Sequence, residues 1–162
     1  MRHLFYCDTV GWLGSVGLLP LRLVMGIAFV LHGWPKIQHP FDWMGPDASI
    51  PAIFLALAAL AEFGGGIALI LGFFTRLGSL GIATTMVVAI AVIHLPQGHP
   101  FVSKDGHSWE LAAVYLACAF LFFLLGSGRY SLDVVVFGNR LNGNTDEGSS
   151  MRPVAERLAG SS

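Results

Sequence analysis

The chain has 162 residues, of which 54% are hydrophobic and 12% charged, with a mean hydropathy of +0.68, whereas a soluble domain carries about 25% charged residues. That composition excludes an ordinary soluble globule and describes a membrane protein. Nine Lys and Arg stand against ten Asp and Glu, so there is no global basic field and nucleic acid is not expected as a partner.

The first fifteen residues are mixed in polarity and are expected to lie at the membrane interface. They lack the short apolar core and small-residue site of a cleaved signal peptide, so the segment that follows is expected to be retained. A spanning helix needs roughly 20 mostly apolar residues, and four stretches meet that need: about 16–37, 51–73, 77–96 and 108–126. Phe74, Thr75 and Arg76 alone separate the second from the third, which predicts a tight antiparallel hairpin. The other two connections are longer, rich in Pro, Gly, Asp and His, and emerge on the opposite side. No internal repeat is found. From residue 138 onward Asn, Gly, Ser, Asp, Glu and Arg dominate, too little apolar surface to offset ordering entropy. Residues 138–162 therefore read as a flexible cytoplasmic tail, with a short surface helix near 152–159 as the alternative.

Charge placement orients the bundle. The side holding both termini carries Arg2, Arg76, Arg129, Arg140, Arg152 and Arg157, and the other carries Lys36 and Lys104. Positive charge favours the cytoplasm, so both termini are assigned there and the long loops to the periplasmic side. Aromatic residues flank both interfaces, with Phe5, Tyr6, Trp12 and Tyr130 inside and Trp34, Phe41, Trp43 and Trp109 outside.

Ionisable residues within a bilayer cost about 2.5–3.5 kcal/mol each on insertion scales, and so face the bundle interior and pair. On the first helix, steps of 100° per residue align Arg22, Gly26, Phe29, Gly33 and Lys36, with His32 at the margin. On the second, Ala58, Ala59, Glu62, Gly65, Gly66 and Leu69 share a face whose small residues permit close backbone approach. Gly64, Gly65 and Gly66 follow no strand, so they are packing residues and not a phosphate cradle. Arg22 either reaches Glu62 as a register-fixing ion pair or pairs with Asp133, which would leave Glu62 without a cation and favour its action as a proton acceptor.

Five of the six histidines (His32, His39, His94, His99 and His107) fall at or beyond the outer ends of the helices. His94 and Glu110, the latter heading a face of Ala113, Val114, Ala117 and Leu121, lie about one turn inside the outer interface, where His32 and Lys36 can join them. An imidazole beside a carboxylate is a workable proton relay, because imidazole titrates near neutrality. Lys36 either snorkels to the headgroups or lines an outer pocket. His39, His99 and His107 read as solvated loop residues. His, Asp and Glu suit zinc, copper or iron, yet there is no H-x-x-x-H or H-E-x-x-H spacing, so a metal is not favoured and no residue is assigned to one. Cys7 and Cys118 form no C-x-x-C pair and support neither a redox dithiol nor a disulfide framework; Cys118 reads as a small packing residue.

These residues carry a family resemblance. The runs are Arg22-Leu23-x-x-Gly26 to His32-Gly33-x-x-Lys36, and Ala61-Glu62-Phe63-Gly64-Gly65-Gly66 to Gly72-Phe73-Phe74-Thr75-Arg76. His94, Glu110-Leu111-Ala112 and the stretch from Gly126 to Asp133 follow in order. Over about residues 16 to 137 the sequence resembles the DoxX family of small four-helix bacterial membrane proteins. The resemblance implies a bacterial inner-membrane subunit and an oxidoreductase component: relatives of the DoxD type look like quinone-reducing subunits in thiosulfate oxidation, and mycobacterial members associate with redox-defence enzymes. Fold alone does not carry a reaction. The chain departs from a thiosulfate-oxidising system in having no paired cysteines and no appended catalytic domain, so it is expected to need a partner subunit or to act on a lipid-soluble molecule.

The expected protein is an all-α integral membrane four-helix bundle, multi-pass in the bacterial inner membrane. Its expected function is a redox subunit that binds a quinone or similar ring near the periplasmic side. His94, Glu110 and Glu62 would exchange protons, and His32, Lys36 and Arg22 would hold the ring. The alternative is a non-enzymatic module that binds a metal or small solute, or anchors a partner oxidoreductase. Partners on either reading are the lipid bilayer and a partner oxidoreductase subunit, with further copies of the chain as a homo-oligomer.

Overall fold

A computed structural model describes residues 11–46, 50–104 and 106–138. The interfacial segment before residue 11 and the tail from residue 139 lie outside the described residues. Helix α1 runs Trp12–Gln38, α2 Ala52–Leu71 and α3 Thr75–Val88, which continues as a π-helical segment Ala89–His94; α4 runs Glu110–Leu125. A last π-helical turn covers Val134–Gly138. α1, α2 and the continuous span Thr75–His94 are long and apolar enough to cross a membrane. The 16 residues of α4 give about 24 Å, short of a typical hydrocarbon core and compatible with local thinning of the bilayer.

Glycine sets the closest helix contacts. A methyl group added at Gly33 would stand 2.6 Å from the Phe63 backbone nitrogen, and one at Gly66 would stand 2.7 Å from that of Val30. At Gly65 it would meet the Gly78 carbonyl of α3 at 3.0 Å. α1 thus lies backbone to backbone on α2, and α2 on α3, as small-residue membrane interfaces require. The core contains Leu18, Met25, Phe29, Leu69, Ile82, Met86, Ala119 and Phe122. α1 meets α4 through side chains instead, the rings of Phe29 and Tyr115 lying 4.9 Å apart.

The α1 stripe read from sequence is largely the buried one: Arg22, Gly26, Phe29 and Gly33 are buried, as are Ala59, Glu62, Gly65, Gly66 and Leu69 of α2. α4 differs. Val114, Ala117 and Leu121, expected inward below Glu110, are exposed, and Ala119 and Phe122 are buried. α4 is apolar all round, so its sequence holds no periodic signal to choose a face.

The cytoplasmic end is closed by the chain after α4. Arg22 Nη1 and Nη2 donate to the carbonyls of Ser127 and Tyr130, each at 2.7 Å. The Asp133 carboxylate accepts from the backbone N–H groups of Phe74 at 2.9 Å and Thr75 at 3.3 Å, capping α3 from a distant part of the sequence where no local residue does so. The connection between α2 and α3 turns through left-handed conformations at Gly72, φ 65°, and Phe74, φ 51°. Cys118 is a free thiol, partly buried against the core.

Candidate functional site

Lys36, in the last turn of α1, reaches inward to a buried carboxylate, Glu62, near the middle of α2. Both Glu62 oxygens lie 2.7 Å from Lys36 Nζ. Arg22 does not reach Glu62, and its turn to the cytoplasmic loop does not leave Glu62 unpaired, because Lys36 takes the place. The reason is direction: side chains tilt toward the N-terminus of their helix, and the N-terminal direction from Lys36 on α1 is into the membrane. The side chain of Lys36 is 24% exposed and that of Glu62 6%, so the ammonium is the member that meets solvent.

The ammonium has one N–H left after serving both carboxylate oxygens, and Nζ lies 4.4 Å from the centroid of the Trp43 ring. That distance suits a cation over an aromatic face. Trp43 is itself fixed, its indole N–H donating to the Leu55 carbonyl at 3.1 Å. Successive backbone bonds, His39 to Lys36, Asp42 to His39 and Gly45 to Asp42, fold the loop after α1 back over the helix end. The result is a cleft of about 410 Å³ lined by Pro35, Lys36, His39, Asp42 and Trp43.

The other expected site residues lie elsewhere. His94 Nδ1 stands 3.0 Å from His99 Nδ1, and the ring of His107 lies 5.3 Å from that of His99. His99 is thus the neighbour of His94, and His107 that of His99, where Glu110, His32 and Lys36 were expected beside His94. Glu110 is exposed in the first turn of α4, where the helix dipole favours a carboxylate. His32 is exposed on α1 with its ring 6.4 Å from that of Tyr115. The expected convergence of His94, Glu110, His32 and Lys36 therefore does not form. The π-helical segment rotates everything after Ala89 away from the phase an α-helix would give, and the apolar uniformity of α4 hides where Glu110 points.

Trp43, His39 and Asp42 were missed as parts of a cleft. The available signal was a Trp and an Asp between Pro40 and Pro46, immediately after a helix ending in a Lys, but a loop path back over that helix is not readable from residue types.

Comparison with known proteins follows this arrangement. The family model described as DoxX matches residues 17–95, which include Arg22, Lys36, Glu62 and His94. The inner membrane protein YqjF of Escherichia coli (strain K12) is 31% identical over 128 residues, covering 75% of this chain and 92% of YqjF. The chain belongs to the DoxX family. CatD of Bacillus subtilis (strain 168), whose name carries the word oxidoreductase, is 30% identical over 133 residues, covering 80% of this chain and 94% of CatD. No solved structure matches. This DoxX protein is a multi-pass protein of the bacterial inner membrane, and the partly buried Lys36–Glu62 pair ties its first helix to its second.

Proposed function

We propose that this protein is the membrane subunit of a redox system, and that the outer cleft binds the ring of a quinone or a similar lipid-soluble carbonyl compound. The observation that carries the reading is the Lys36 ammonium, held by buried Glu62 and facing a cleft walled by Trp43. A cleft of about 410 Å³ falls within the roughly 300–1,000 Å³ of small-molecule sites. Pro35 and Trp43 supply apolar wall, and Lys36, His39 and Asp42 supply the few polar groups such sites use.

A quinone supplies acceptance of two electrons and two protons, the electrons coming here from a partner oxidoreductase. Lys36 offers its remaining N–H to a carbonyl oxygen, exchanging the Trp43 face for a stronger acceptor. Glu62 keeps that ammonium charged and aimed, and a proton that Lys36 gives up is replaced from the aqueous side. His39 and Asp42 at the rim carry protons between the cleft and the aqueous side. Trp43 covers one side of the Lys36 ammonium. His94 and Glu110 do not line the cleft, so proton donation rests with Lys36, held by Glu62, and with the rim groups that resupply it. The name of CatD supports a redox role for the family.

Purification in mild detergent, followed by mass spectrometry for co-purified quinones and a quinone-reduction assay with candidate donor enzymes, tests this. Bound quinone and reduction that falls in Glu62→Gln are expected. Absence of bound quinone, together with activity unchanged in Glu62→Gln and Lys36→Met, would overturn the proposal.

A further inference from the structure

A second polar centre stands apart from the cleft, at the outer end of α3. Leu95 N bonds to the Ile90 carbonyl at 2.9 Å and His99 N to the His94 carbonyl at 3.1 Å, both the i to i+5 spacing of a π-helix. Such segments recur at functional sites and persist where something offsets their poorer geometry. Between the two histidines the chain turns at Gly98, φ 69°, a left-handed conformation that glycine adopts without a Cβ penalty. The turn returns His99 to His94, so that the two Nδ1 atoms face each other at 3.0 Å.

We propose that His94 and His99, joined by His107, bind a zinc-class divalent metal ion at the periplasmic mouth of the bundle. Two imidazole nitrogens, each about 2.1 Å from one ion at a tetrahedral angle, stand roughly 3.4 Å apart. The observed separation is within a few tenths of an ångström of that, and both rings must also turn so that their Nδ1 lone pairs converge on the ion beside the line that joins them. The metal-free pair is held by one shared hydrogen, since one Nδ1 must donate and the other accept; a cation replaces that proton. The rings of His99 and His107 lie 5.3 Å apart with a 31° tilt. Among the described residues no three such side chains already stand as a preformed metal group. His107 therefore enters by side-chain rotation from its exposed position in the connection to α4, and water completes the shell. Three neutral nitrogens and an open position suit zinc or its chemical neighbours, not calcium or magnesium, which take oxygen ligands.

The site lies on the connection between α3 and α4, away from the residues lining the cleft, and does not depend on quinone binding. Its test uses the full-length protein in detergent, without a histidine tag, stripped with EDTA and titrated with Co²⁺ as a visible-absorption probe, then with Zn²⁺. One saturable Co²⁺ per chain, displaced by one Zn²⁺, is expected. His94→Gln and His99→Gln, which keep a polar side chain, and His107→Ala should each weaken binding by more than the roughly 10–100-fold that an outer-shell partner costs. Absence of a one-to-one signal in the parent protein, or unchanged affinity in any of the three variants, would overturn the assignment. Metal-free thermal midpoints of the variants separate loss of a ligand from loss of the fold.

Discussion

The two ends of the bundle handle buried charge in opposite ways. At the cytoplasmic end Arg22 and Asp133 are held by backbone groups, the guanidinium through Nη1 and Nη2 by the carbonyls of Ser127 and Tyr130, with buried Nε left without a hydrogen-bond partner, and the carboxylate by the amides of Phe74 and Thr75. At the outer end Lys36 and Glu62 satisfy each other, with Trp43 beside them. Backbone partners are fixed by the fold and cannot leave without unfolding it. Side-chain partners can rotate, exchange protons and accept a ligand in place of one another. The first end is a clasp and the second is where chemistry can occur.

That contrast is broken most strongly by Lys36→Met. Removing one member of a buried pair strands the other and costs about 3–5 kcal/mol, seen as a lowered thermal midpoint in detergent, and quinone reduction should fall by roughly 10²-fold or more if proton delivery is lost. Adding Glu62→Gln should restore more than half of the lost stability and none of the activity; recovery of both would make the pair a register device only. Next comes Arg22→Met, which leaves two carbonyls without their donor. Hydrogen bonds to charged groups contribute about 1.5–3 kcal/mol each, so a loss of roughly 3 kcal/mol is expected. Quinone affinity per folded molecule should stay constant, and a change in affinity would join the two ends functionally.

Gly33→Ala drives a methyl group into the Phe63 backbone and should cost about 1–3 kcal/mol by overpacking. Because Gly33 lies one turn below Lys36, it should also disturb the cleft, whereas Gly11→Ala, with open space around it, should disturb neither. The smallest effect belongs to Trp43→Phe, which keeps an aromatic wall but gives up the bond to the Leu55 carbonyl. Affinity should fall several-fold, in line with about 1 kcal/mol for one hydrogen bond, with little change in thermal midpoint.

Much of α1 and α2 was legible because their polar and small residues recur at helical spacing: Arg22, Gly26 and Gly33, or Glu62, Gly65 and Gly66, can share a protected face only one way. α4 offers no such marker, and its inward residues Ala119 and Phe122 look like their neighbours. His94 was misplaced for a different reason. One change from α to π hydrogen bonding shifts the phase of every residue beyond it, and residue types do not announce that change.

The sequence by itself determined a membrane bundle of four helices, the presence of buried charge on the first two, and the collection of histidines beyond the helix ends. Apolar length and 3.6-residue periodicity are local properties, and they suffice for that. Which charge meets which was decided only in three dimensions. The inward tilt of the Lys36 side chain joins it to Glu62, the loop after α4 claims Arg22, and the turn at Gly98 returns His99 to His94. The first two depend on where separate segments lie after packing, which no single segment encodes, and the third on a local turn whose path residue types do not announce.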